Sequence, residues 1–277
     1  MREVVLFIIA VINFLILAVA LSGIGGVSDA QAAVIAALIC AGLVALALTP
    51  AGEAYFRAAN RLRRPRPEED AAIRPLLENA CRRCGAEVPE LFVSDSECPN
   101  AFAVGRKTVA VTRGLLAQAL QEEVEAVLAH ELGHLAHGDS RYLQAAWVLN
   151  LVGSITAWTA TAAVTVAAAF AGAAGGREGR AATAFAALVM VWLLRAVSWS
   201  LFQVQRLSLL AVCRSREYEA DAFAARAGYR DGLVGFLRRL TPPQAPQGLA
   251  ATLLATHPAP AKRIKRLVEA KGVTLIE

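Results

Sequence analysis

Residues 4–22, running from Val4 through Phe14 to Ser22, contain no charged side chain. As a helix such a run is long enough to cross a hydrocarbon core of ~30 Å, which restricts the fold more than any other stretch. A second apolar run, 31–49, follows a short loop, Gly23 to Ala30, that has no Lys or Arg. The pair reads as a transmembrane hairpin. A cleaved signal peptide is the competing reading, since Ala18-Val19-Ala20 resembles a cleavage site, but the apolar stretch is too long for one. Residues 144–174, rich in alanine and ending at Gly175-Gly176, form a third run, and 183–212 a fourth. The fourth is the weakest: Arg195 falls near its middle, where a charge must snorkel, face protein or line a wet cavity. An even number of crossings is still expected, because it returns the following segment to the side it left.

The expected architecture is therefore mainly α with a small β-sheet. Four transmembrane helices form two hairpins, 1–50 and 144–212, and a cytoplasmic domain is assembled from 51–143 and 213–277. Composition agrees, with 56% hydrophobic and 18% charged residues in 277, well away from the soluble norm. After Pro50 come Arg57, Arg61, Arg63, Arg64 and Arg66, a cluster that marks the cytoplasmic side of a span. Arg177 and Arg180, in the loop of the second hairpin, weaken that assignment slightly. The net charge of +5 is modest and shows no nucleic-acid footprint. Cys40, Cys81, Cys84, Cys98 and Cys213 make no regular disulfide framework. Cys81, Cys84 and Cys98 could be three ligands of a second metal site, but no fourth stands nearby, so they read as reduced thiols.

Within 51–143 the pattern runs helix (70–84), strands at 90–93, 101–104 and 108–112 with a hairpin turn at Gly105 to Lys107, then a helix from Leu120 to a stop at Gly138. That last helix carries His130-Glu131-Leu132-Gly133-His134. Imidazoles four residues apart leave the same face and can reach one tetrahedral zinc ion. Glu131 can then polarise a metal-bound water without being a ligand. A chance match on a surface helix is the bland alternative, weighed against three of the chain's four histidines falling within eight positions. His137 lies two turns beyond His130, ~10 Å along the axis, and reads as a capping or surface residue. Ser140 stands where a zincin subclass has its third histidine, which excludes that subclass.

A catalytic zinc site needs a third protein ligand and an open fourth position. Glu217 is the candidate, on a helix expected over 213–228. Asp221, one turn on, is placed to accept from the far nitrogen of a ligand imidazole. Glu219 reads as an exposed acidic residue. Two short helices, 230–240 and 258–271, are expected in the tail, with His257 as a helix-start residue. The small sheet ahead of the motif helix is a layout in which an edge strand holds an extended peptide beside a metal.

Taken together, Pro99-Asn100-Ala101-Phe102-Ala103 with Gly105, the 130–134 motif, Arg214 to Asp221, and Thr256-His257-Pro258 with Arg263-Ile264 resemble the HtpX-type integral-membrane zinc metallopeptidases, relatives of the CAAX prenyl endopeptidases. The resemblance covers nearly the whole chain. It implies a gluzincin-like catalytic domain with one Zn2+ per chain on His130, His134 and Glu217, and Glu131 as general base. It also implies that His257 and Arg263 steady the tetrahedral intermediate and that Asn100, Ala101, Phe102 and Ala103 align substrate backbone. Cys213 and Ala259 depart from the family pattern without touching the chemistry.

Two functions compete at this stage. One is an endopeptidase of the inner (plasma) membrane, multi-pass, in contact with lipid, its active site facing the cytoplasm and acting on misfolded or damaged membrane proteins. The other is a zinc-binding membrane scaffold or regulator, in which His137 or Asp221 closes the fourth position. A transporter, suggested only by Arg195 and the apolar runs, is a distant third.

Overall fold

The computed structural model describes residues 2–174, 177–240 and 258–269. The fold is mostly helical with one three-stranded sheet. In chain order the helices are α1 (Arg2–Ser22), α2 (Asp29–Ala47), α3 (Pro50–Ala59), α4 (Pro67–Cys84), α5 (Arg113–Gln118), α6 (Gln121–His137), α7 (Asp139–Ala174), α8 (Arg177–Arg226), α9 (Arg230–Arg239) and α10 (Pro260–Glu269); the strands are β1 (Glu90–Ser94), β2 (Ala101–Val104) and β3 (Thr108–Thr112). Contacts divide the chain into two units, Met1–Ala47 with Ala145–Leu209, and Leu48–Gln144 with Leu210–Glu277.

Among the described residues, four helical stretches are long and apolar enough to cross a membrane: Arg2–Ser22, Asp29–Ala47, Asp139–Phe170 and Ala184–Arg226. In the first unit, Ala32, Ala36 and Cys40 recur at four-residue spacing on α2 and are buried. Small side chains at that spacing let helices approach closely without a hydrophobic driving force. Ile9 and Leu17 of α1 and Leu149 of α7 complete this core. One polar pair is buried among them: Asn13 Nδ2 donates to the Ile9 carbonyl at 2.7 Å and to Gln205 Oε1 at 2.7 Å.

One expectation fails here. The fourth apolar run and the helix bearing Glu217 are a single helix of 50 residues, about 75 Å long at 1.5 Å per residue. Composition turns from apolar to charged near Cys213, but after Gly179 no Gly or Pro interrupts the backbone. Polarity of side chains sets what a helix faces; it does not end the hydrogen-bond ladder. The third run likewise begins earlier than 144, at Asp139, directly after the αL residue that closes α6.

The second unit is built on a core shared by Ile73 and Leu77 of α4, Val93, Val109 and Val111 of the sheet, Leu128 and Leu132 of α6, and Leu233 and Leu237 of α9. Each such aliphatic contributes about 1.5–3 kcal/mol by leaving water, so the motif helix is held from several sides. The sheet order is β1-β3-β2. β1 pairs parallel with β3, Phe92 opposite Ala110, and β2 pairs antiparallel, Phe102 opposite Ala110. The outer edge of β1 is covered by Arg63, which exchanges two backbone hydrogen bonds with Val93. β2 is the other edge strand, and it packs against α6. Its turn to β3 is tied down by Glu53 of α3, whose carboxylate accepts from the amides of Arg106 and Lys107 and from the Thr108 hydroxyl at 2.6 Å.

Candidate metal centre

α6 is capped at its start by Glu123, whose carboxylate accepts from the Leu120 amide at 2.9 Å, and carries Glu122 and Glu123 in its first turn, where negative charge complements the dipole. It stops at Gly138, whose φ of 70° is the left-handed conformation that glycine adopts without strain. Between these ends His130 and His134 stand one turn apart. Their rings meet edge to face, centroids 4.8 Å apart, and their Nε2 atoms are 3.2 Å apart.

Glu217 reaches the same point from α8. Its carboxylate oxygens lie 3.6 Å from His130 Nε2 and 3.6 Å from His134 Nε2. A tetrahedral zinc-type ion with bonds of about 2.0–2.1 Å has ligand–ligand edges of about 3.3 Å. The three donors therefore outline one face of such a tetrahedron. Among the described residues this is the grouping of His, Cys, Asp and Glu that can hold a metal ion.

Gly133 makes the approach of the two helices possible. A Cβ there would lie 3.2 Å from the Ala220 Cα of α8 and 3.2 Å from Phe223. Gly133→Leu is expected to destabilise by about 1–3 kcal/mol through overpacking and to weaken divalent-cation retention by moving α8, and Glu217 with it, outward. Melting of the purified variant together with its metal content checks this; wild-type retention in the Leu variant would mean that the helix spacing does not set the site.

Each imidazole is backed by its own carboxylate. His130 Nδ1 is 2.9 Å from Asp221 Oδ1, and His134 Nδ1 is 2.9 Å from Asp139 Oδ2. Each carboxylate is in turn held by an arginine. Arg263 of α10 donates to Asp221 through Nε at 2.8 Å and Nη2 at 2.5 Å, and its Nη1 is 2.9 Å from Glu217. Arg216 Nε donates to Asp139 Oδ1 at 2.6 Å. With a cation bound, each imidazole would donate from Nδ1 to its carboxylate and turn its Nε2 lone pair to the metal beside Glu217, the arrangement a metal site requires.

Glu131, His130, Glu217, Asp139 and Asp221 are all buried. Burial works against an imidazolium at His134, yet the hydrogen bonds to Asp139 and Glu217 outweigh it and push its pKa up to about 10. His130 is raised in the same sense, its burial opposed by Asp221 and Glu217. The environment thus favours positive charge between the rings. By formal charge, Glu131, Asp139, Glu217 and Asp221 exceed Arg216 and Arg263 by two, which is the charge of one divalent cation.

Other sequence candidates fall as follows. Arg263, expected beside a reaction intermediate, has its guanidinium on the Asp221 and Glu217 carboxylates. His257 lies outside the described residues. His137 packs edge-on against Phe223, ring centroids 5.9 Å apart. Ala101, Phe102 and Ala103 lie in β2; Asn100 just precedes it, its backbone amide donating to Thr112 Oγ1 at 2.9 Å. Glu219 is exposed and accepts from Arg216. Burial pushes the Cys81 thiol up to about 11, as suits an inert buried thiol, and Cys98 is exposed.

Asp139 and Arg216 were not singled out from the sequence. A weak signal existed: an acid directly after the helix-stopping glycine, five residues past His134, and an arginine adjoining Glu217. Seeing its meaning requires knowing that the left-handed turn at Gly138 points the start of α7 back at the imidazole.

Residues 67–271 match the family described as Peptidase family M48. Over 240 residues the chain is 30% identical to a protease HtpX homologue of Desulfatibacillum aliphaticivorans, spanning 76% of this chain and 72% of the relative. A protease HtpX homologue of Pelotomaculum thermopropionicum is 33% identical over 234 residues, 74% of this chain and 78% of the relative. The crystal structure of S. mikatae Ste24p superposes with a TM-score of 0.54 at 19% identity, covering 83% of this chain and 57% of that one. That last likeness concerns the fold.

Proposed function

The chain belongs to peptidase family M48, and from that premise we propose that it is an integral-membrane zinc endopeptidase cleaving misfolded or damaged membrane proteins at the cytoplasmic face of the inner membrane. The observation that carries the reading is the convergence of two Nε2 atoms from α6 and one carboxylate from α8 at separations of 3.2 and 3.6 Å. Two nitrogens and an oxygen, with no thiolate, suit a borderline divalent ion such as zinc. When bound, that ion supplies Lewis-acid chemistry, polarising a scissile carbonyl and acidifying water.

The chain's own groups do the rest. His130, His134 and Glu217 hold the ion. Glu131, one residue from the first ligand, takes the proton of the attacking water and hands it to the leaving amine. Asp221 and Arg263 keep His130 and Glu217 oriented. The edge strand β2, carrying Ala101, Phe102 and Ala103 and anchored at Asn100 by Thr112, aligns the substrate backbone by strand addition. Arg57, Arg61, Arg63, Arg64 and Arg66, following α2 closely, support a cytoplasmic location for the second unit.

The test is reconstitution of the full chain in proteoliposomes with a destabilised multi-pass substrate whose loops carry distinguishable tags. Cleavage is expected in loops on the side of the arginine cluster, lost on chelation and restored by zinc. Intact substrate with zinc-loaded protein, or cleavage confined to the opposite side, would contradict the proposal.

A further inference from the structure

His134 is backed by an acid that is not one of the three donors converging on the cation position. Asp139 is the first residue of α7. Its carboxylate reaches two other helices: Oδ2 lies 2.9 Å from His134 Nδ1 on α6 and Oδ1 accepts from Arg216 Nε on α8 at 2.6 Å. Asp139 is buried, and Arg216 directly precedes Glu217 on α8.

We infer that Asp139 and Arg216 are positioning residues of the metal centre: Asp139 fixes His134 in the tautomer that presents Nε2, while Arg216 ties that carboxylate to the helix carrying Glu217. The inference rests on the zinc reading above and deepens it. The pair duplicates, for the second histidine, what Asp221 and Arg263 do for the first, so the two ligand imidazoles are oriented by separate Arg–Asp couples. It also couples the helices, because the link runs from α6 through the start of α7 to α8 next to the third ligand. His134 therefore cannot swing without disturbing the contact that registers Glu217.

The test uses the detergent-purified full chain and reads zinc affinity by competition with a chromophoric chelator, together with the visible spectrum of the Co2+-substituted protein. Neither readout requires proteolysis, so a failure of the protease reading stays distinguishable from a failure of this one. Asp139→Ala is expected to weaken zinc binding by up to ~100-fold and Asp139→Asn, which keeps the shape and an acceptor oxygen, by ~10-fold, the range that partners behind ligand histidines command. Both should alter the Co2+ bands, which a purely structural role would leave alone. Arg216→Gln should follow the Asn variant, and Glu219→Gln, which removes the exposed partner of Arg216, should match wild type. Wild-type affinity and an unchanged Co2+ spectrum in folded Asp139→Asn would overturn the inference; so would an equal loss in Glu219→Gln.

Discussion

Glu131→Gln is expected to reduce proteolysis by ~10²–10⁴-fold, the usual contribution of a positioned general base, while one zinc per chain remains bound. The carboxylate is buried on the motif helix beside His130 but is absent from the group of donors that meet around the cation position. Gln keeps its volume and an oxygen and loses the negative charge and the ability to take a proton. Activity and metal should therefore separate: KM for a loop substrate should change little and kcat should collapse. Cleavage persisting at the wild-type rate in a zinc-loaded variant would remove Glu131 from the mechanism. Loss of zinc would mean that it is a ligand.

Glu217→Ala is expected to behave in the opposite way, losing metal and activity together. Glu217 is the donor that α8 contributes, 3.6 Å from both Nε2 atoms. Removing it leaves two nitrogens, too few for a held tetrahedral ion. Zinc affinity should fall by more than the ~100-fold that outer partners command, so that dialysis strips the variant under conditions in which wild type stays loaded. Glu217→Gln should fall between the two, since a neutral amide oxygen is a poorer ligand than a carboxylate. A Glu217→Ala protein that keeps its zinc would place the third ligand elsewhere.

Features governed by local periodicity were readable in the sequence. The 3.6-residue spacing of α6, its left-handed glycine stop, and the three short strands all appear close to where the residues put them, because helix periodicity, turn residues and β-branched runs are local signals. What local pattern could not give was long-range. The parallel pairing of β1 with β3 places the last strand in the middle of the sheet, an order that residues distant in sequence decide together. The change from apolar to charged composition near Cys213 suggests a boundary, but α8 runs through it unbroken because nothing in its backbone demands one. Asp139 and Arg216 are 77 residues apart in sequence, and only the turn at Gly138 and the course of α8 bring them together behind His134. Arg263 was noticed through resemblance, but its partners Asp221 and Glu217 are visible only in three dimensions.

Common to the whole account is one cation held by side chains from two helices, with a coordination position left for chemistry. X-ray absorption at the zinc edge of the purified full chain reads this directly. The expected coordination has two imidazoles, counted by their multiple scattering, with oxygen donors making up the remainder and no sulfur, and the bound zinc is lost in Glu217→Ala. Sulfur in the coordination sphere, or three imidazoles, would contradict it.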